Sequence, residues 1–180
     1  KEFKKVIKDK KVKIVINEKF DCDSNLTSLY LAIKQILNNS SSISEGVMVM
    51  EADSFFNNEI FNHFIEYLKT NAEDFKYKNR ICWTAKGKAK KKDKGGFLDI
   101  SKIHEGIING IVEKAYINKS RESNESLKMY GITWFNKNSI TKWYHDADFL
   151  IKNNQKNMNL SKFYFHNIIF LNHDSYIMNF

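Results

Sequence analysis

Four apolar residues in a row, Val47-Met-Val-Met50, run from Gly46 straight into Glu51-Ala52-Asp53. A short continuous apolar run bounded by glycine and acid predicts a strand buried on both faces, in the middle of a parallel or mixed sheet. In open α/β sheets ligands gather at the carboxyl ends of strands. A carboxylate at that point, Asp53, can hold a divalent cation against a phosphate. The competing reading is structural: Asp53 or Ser54 could cap the next helix.

The flanking pattern sets the fold class. Lys11 to Asn17 alternates Val12, Ile14 and Ile16 with Lys11, Lys13 and Val15, which predicts a strand. Asn25 to Leu37 places Leu26, Leu29, Tyr30, Ile33, Ile36 and Leu37 at helical spacing. Asn57 to Thr70 repeats that pattern with Ile60, Phe61, Phe64, Ile65 and Leu68. Strand, helix, strand, helix is the βαβ signature, so Lys11–Asn17 and Gly46–Met50 are expected side by side in one sheet. Further strands are expected over Arg80–Thr84, Phe97–Ile103, Ile107–Ile117, Lys128–Phe135 and Ser175–Phe180. Helices are expected over Ser139–Asn153, capped by Ser139 or Asn138, and over Leu160–Leu171. The expected fold is α/β, with a mixed, mostly parallel sheet flanked by helices and a β-rich insertion at about 80–127. Residues 1–180 read as a single domain.

The chain has 180 residues and is 42% hydrophobic, enough for one substantial core. No apolar run approaches the roughly 20 residues that a membrane span needs. Cys22 and Cys82 have no metal-ligand spacing, which suits a reducing cytoplasm. The formal charge of +8 invites a nucleic-acid partner, but of 29 basic residues only Arg80 and Arg121 are arginine. Base and phosphate readers favour the bidentate arginine fork, so nucleic acid is not the expected partner. Abundant Lys, Asn, Ile and Phe, with no proline, is what AT-rich coding produces. The densest charge is Lys86 to Lys94, six lysines in nine residues. It reads as a solvated hairpin tip, with a phosphate-meeting lid as the alternative.

Several motifs in order resemble the nucleotidyltransferases of sugar nucleotides and choline phosphate, above all the bacterial choline-phosphate cytidylyltransferase branch. They are Asn17-Glu-Lys19, Asn25-Leu-Thr-Ser-Leu-Tyr30, Glu51-Ala-Asp-Ser54, Val112-Glu-Lys114 and Tyr130-Gly-Ile-Thr-Trp-Phe135. The resemblance runs from Lys11 to about Asn167 and implies a Rossmann-like nucleotidyltransferase fold. It implies transfer of a cytidylyl group from CTP to a small phosphorylated or phosphonate acceptor, with release of pyrophosphate. The product would be a precursor of cell-surface glycan or lipid, made in the cytoplasm. Asp53 would hold magnesium, and Lys114 would set a cation against a phosphate beside Glu113. The family's second metal-binding acid is expected near Tyr164-Phe-His-Asn167, where there is no carboxylate: either His166 stands in as a ligand, or Asp174 or another acid substitutes, or the second site is lost. The family's N-terminal Gly-rich loop has no counterpart, so the expectation is either that Lys1 begins after it and the chain is a fragment, or that the chain lacks its catalytic loop.

On the residues themselves, Asn25 and Ser28 share a helix face and can hydrogen-bond a pyrimidine edge, or simply serve as cap and surface. Gly131 inside an apolar strand signals close approach of a ligand or a bulge. Tyr130, Trp83 and Trp134 are candidate walls of a box for a quaternary ammonium, with core packing as the alternative. The rival function is a non-enzymatic basic domain that grips RNA or another polyanion through Lys86–Lys94. A catalytically silent relative is the third reading.

Overall fold

Helix propensity and apolar spacing place three helices where the pattern asks for them. The computed structural model describes residues 12–18, 25–38, 43, 46–51, 57–73, 80–90, 92–93, 95–102, 108–118, 126–154 and 174–179, with the backbone alone over 101–102, 108–118 and 174–179. In chain order the elements are α1 (Asn25–Leu37), β1 (Gly46–Met50), α2 (Asn58–Thr70), β2 (Arg80–Lys88), β3 (Gly95–Lys102), β4 (Ile108–Asn118), β5 (Leu127–Asn136), α3 (Lys137–Asn154) and β6 (Asp174–Asn179). The expected helix over Leu160–Leu171 lies outside the described residues.

The strands form one six-stranded sheet in the order β1-β5-β2-β6-β4-β3, with a further β3–β5 pairing. Side chains alternate across its strands and divide the core in two. On one face Trp83, Ile81, Ala85 and Phe135 meet Leu26, Tyr30 and Ile33 of α1 and Ile140, Trp143 and Ala147 of α3. On the other face Cys82, Ile132, Met48 and Trp134 meet Phe64, Phe61 and Leu68 of α2. The architecture is therefore helix, sheet, helix. The α1–α3 face is tied further by Tyr30, whose hydroxyl donates to Asp148 at 2.6 Å and whose ring stacks on Tyr144 at 5.3 Å.

The α/β class stands, but the sheet is not mostly parallel. Among the described strands only β2 and β6 pair in parallel. The pairings β1–β5, β2–β5, β3–β4, β3–β5 and β4–β6 are antiparallel. β1 and β2, joined through α2, do run the same way, because each is antiparallel to β5. Yet β5 lies between them, so the sequence order of a βαβ unit survives while its direct parallel pairing does not. Local periodicity cannot register a strand that arrives from about 40 residues later to take the middle place.

Two further expectations fail. Residues 12–17 form no strand, and Ile14 and Ile16 are 40% and 64% exposed. Alternation expresses a capacity to pair, and no described strand offers this segment a ladder. β1 is also not buried on both faces. Its residues are half-buried and Met50 is 46% exposed, since β1 ends the described sheet and pairs there with β5 alone. The cap of α3 differs as well. The helix begins at Lys137, and Asn136, not Ser139 or Asn138, accepts the Ser139 N–H at 2.8 Å through its side-chain oxygen. β2 runs on to Lys88, and Ala89 is buried with its N–H bonded to Ser126 O at 2.9 Å. The charged hairpin is thus shorter and better anchored than its lysine content suggests.

Candidate active site

The longest pairing of β5 is with β2, which follows it from Phe135 back to Leu127 along one edge. The other edge is shared. β1 occupies it from Ile132 to Asn136, and β3 occupies it at Leu127 and Lys128. Residues 129–131 lie between, where β5 has described partners on one side only. The edge therefore forks. The carboxyl end of β1 reaches the fork, where the Glu51 N–H donates to Gly131 O at 3.0 Å.

The fork rests on a bulge. Between Trp83 and Ala85 the β2–β5 register slips: Trp83 faces Thr133 and Ala85 faces Met129. Two residues of β2 are thus spanned by four of β5. Gly131 sits in this excess with φ of 88°, a left-handed conformation that glycine takes without strain. Thr84 repairs the broken ladder. Its hydroxyl donates to Ile132 O at 2.8 Å and accepts from Ile132 N at 3.3 Å. Thr84 is 1% exposed, so without these bonds its hydroxyl would be buried unsatisfied.

Val49, Glu51, Trp83, Met129, Gly131 and Thr133 line a shallow crevice at the fork, with an interior of about 10 Å³, no more than a water site. It is a cleft in the sheet and not a pocket of the roughly 300–1,000 Å³ that encloses a drug-sized ligand. A cation follows on β5. Lys128, half-buried, donates to Gly96 O at 3.1 Å and lies 5.2 Å from the centre of the Phe97 ring. Burial and then the charge of Lys86 hold its ammonium below the usual lysine pKa, while Glu51 and Asp93 act in the opposite sense. Among the described residues no three His, Cys, Asp or Glu side chains converge as a metal cluster. Glu51 is the carboxylate that the described crevice offers.

The structure places the sequence candidates unevenly. Gly131 and Trp83 share the crevice, and Tyr130, half-buried, adjoins Gly131. Trp83 and Trp134 do not form two walls of one box. Trp83 faces Thr133 and Cys82 faces Trp134, so successive residues send the two indoles to opposite faces of the sheet. Trp83 is 1% exposed in the α1–α3 core, and Trp134 packs in the α2 cluster. Asn25 and Ser28 sit at the start of α1, where Ser28 is exposed and accepts from Asn17 Nδ2 at 3.1 Å. Glu113 and Lys114 lie on β4, with Lys114 opposite Asp99 of β3. Asp53 and His166 lie outside the described residues. One competing account of Asp53 weakens all the same: α2 is capped by Asn57, whose side chain accepts the Glu59 N–H at 3.0 Å. Thr84 and Lys128 are not among the residues that the sequence singles out. Their only local signal is a hydroxyl and a cation each flanked by apolar neighbours, Trp83 and Ala85 for Thr84 and Leu127 and Met129 for Lys128.

No protein-family model matches the sequence. No curated protein matches it either. Solved structures do share its fold. A CTP:phosphocholine cytidylyltransferase from Streptococcus pneumoniae superposes with a TM-score of 0.62 at 15% identity, over 99% of this chain and 64% of that one. A mannose-1-phosphate geranyltransferase from Thermus thermophilus gives 0.54 at 10% identity, over 88% of this chain and 50% of that one. The chain thus spans between half and two thirds of the length of these structures, and its fold is nucleotidyltransferase-like. Among the described residues no helix is long and apolar enough to cross a membrane.

Proposed function

We propose that this domain transfers a cytidylyl group from CTP to a small phosphorylated acceptor of phosphocholine or phosphonate type, releasing pyrophosphate. The observation that carries the reading is the fork. In a fold shared with a CTP:phosphocholine cytidylyltransferase, an acid-bearing strand end is bonded to a glycine bulge beside a shallow crevice. Strand carboxyl ends where a sheet changes its pairing are where such folds bind ligands. Nucleotidyl transfer needs mainly positioning and charge neutralisation, which this arrangement is suited to supply.

Asp53, two residues beyond Glu51, is the proposed magnesium ligand. Magnesium prefers oxygen, so a carboxylate fits it, while the imidazole of His166 is a poorer match as second ligand. Magnesium would neutralise the phosphates of CTP. Lys114 and Glu113 would act at a phosphate, Asn25 and Ser28 at the base, and Tyr130, Gly131, Trp83 and Trp134 toward the acceptor, the two tryptophans not as one box. The product would be a cytoplasmic precursor of cell-surface glycan or lipid. Asp53→Asn keeps the shape and removes the charge. It should cut magnesium-dependent CTP turnover by about 100-fold or more, in line with the loss of one charge-stabilising group. Wild-type turnover in that variant at saturating magnesium and CTP overturns the assignment.

A second reading has one observation in its favour: Lys86, Lys88, Lys90 and Lys92 are all exposed. They could grip RNA or another polyanion without catalysis. Binding that weakens steeply with salt and shows no nucleotide preference, in a protein that does not turn over CTP, would favour it.

A further inference from the structure

Gly131 and Ile132 share one peptide group, and both of its ends are held. Its carbonyl, Gly131 O, accepts the Glu51 N–H at 3.0 Å from the end of β1. Its N–H, that of Ile132, donates to the Thr84 hydroxyl of β2 at 3.3 Å. A planar trans peptide points its C=O and N–H in opposite directions, so this single rigid unit reaches from β1 to β2. Thr84 grips its side twice, because the hydroxyl also donates to Ile132 O at 2.8 Å.

The grip falls inside the register slip between Trp83 and Ala85, where the regular spacing of the β2–β5 ladder is interrupted. Glycine makes such a grip necessary. Gly131 takes φ of 88° and has no Cβ, so it resists rotation of its own peptide less than another residue would. That rotation would turn the carbonyl away from Glu51 and release the end of β1. Thr84 is 1% exposed and lies between buried Trp83 and Ala85, an environment that strengthens its two bonds. Glu51 in turn opens the run Glu51-Ala-Asp53, which the nucleotidyl-transfer reading assigns to magnesium.

We propose that Thr84 is a positioning residue: its hydroxyl locks the Gly131–Ile132 peptide, and through it the acid-bearing end of β1. The lock stands on the hydrogen bonds alone. Its service to catalysis rests on the nucleotidyl-transfer reading.

Amide hydrogen exchange followed by NMR, together with CTP turnover titrated with magnesium, tests the proposal. In the wild type the Glu51 and Ile132 amides should be protected. Thr84→Val keeps the shape of the side chain and removes the hydroxyl. It should speed exchange at Glu51 by about ten-fold more than at Trp143 in the core, the scale of one hydrogen bond. The magnesium needed for half-maximal turnover should rise, a shift that lost stability alone does not produce in the folded fraction. Thr84→Ser retains the hydroxyl and should hold both readouts within about five-fold of wild type, the scale of one buried methyl.

An unprotected Glu51 amide in the wild type overturns the lock. So does a Thr84→Val protein whose exchange rises no more at Glu51 than at Trp143. Loosened Glu51 with an unchanged magnesium requirement overturns the positioning role. Should Thr84→Val fail to fold, a loss at Glu51 in Thr84→Ser beyond that of one methyl overturns the lock. Thr84-dependent protection of Glu51 in a protein that does not turn over CTP keeps the lock and removes the enzymatic reading. Magnesium-dependent turnover with Glu51 exchange indifferent to Thr84 does the reverse.

Discussion

The α1–α3 face of the sheet and the fork in the β5 edge are built on opposite principles. On the α1–α3 face every constraint is redundant. Trp143 and Ile140 are fully buried, Tyr30 both stacks and hydrogen-bonds, and Asp148 is held by Tyr30 and Lys152 together. At the fork, constraints are spare. The end of β1 bonds Gly131 through the Glu51 N–H, Thr84 mends the ladder, and Gly131 takes a φ that other residues resist. Close packing gives stability, whereas an interrupted ladder leaves backbone and charge available to a ligand. The difference separates a densely packed core from an interrupted ladder that adjoins it, with Trp83 shared by both.

Damage to the packed core and damage to the fork should have different consequences. Trp143→Ala removes a fully buried indole and should cost about 3–5 kcal/mol in denaturant unfolding, with turnover per folded molecule unchanged. If turnover falls as steeply as stability, the two sides are not separable.

Gly131→Ala should do the converse. Forcing a side chain into its φ of 88° costs about 1–3 kcal/mol, less than the tryptophan loss. Activity should fall further than stability accounts for, because the bulge sets where β1 ends. Steady-state kinetics on the folded fraction decide this, and retention of full activity would detach the bulge from the site.

A smaller effect is expected from pH on the packed side. Hydrogen bonds from Lys152 and then Tyr30 hold the Asp148 carboxyl below its usual pKa. A depressed carboxylate contributes stability that is complete above its unfolded pKa, near 3.9. It is lost as pH falls through the lower folded value. Asp148→Asn should therefore flatten a minor part of the acid-side decline in stability below about pH 4 and change little at neutral pH, since exposed pairs are screened. An acid profile identical to wild type would remove Asp148 from the account.

The smallest effect belongs to the hairpin tip. Replacing Lys90, Lys91 and Lys92 together by alanine should change stability by no more than about 0.5 kcal/mol. A large loss of melting temperature would show that the tip is a structural element and not a solvated turn.

The helices are readable because their signal is local. Asn25–Leu37 has the bounds that its apolar spacing implies, and Asn58–Thr70 follows its Asn57 cap. Strand existence is readable for the same reason, since Gly46–Met50, Arg80, Phe97 and Lys128 all mark true strands. Strand partners are not. The alternation of 12–17 is as regular as that of β5, yet only β5 is given neighbours. Trp83 and Trp134 read as one aromatic pair, and the register divides them between faces. Lys128 and Thr84 acquire meaning only from the strands beside them.

Alternating helical and strand periods, an acid closing an apolar strand and a glycine inside another are properties of neighbouring residues, and they carry the α/β class. The pairing of β5 with β1, β2 and β3 is not local, and with it come the fork, the crevice and the contacts of Lys128. A ladder joins residues far apart in the chain, and its register depends on which strand reaches an open edge, a quantity that no local pattern contains.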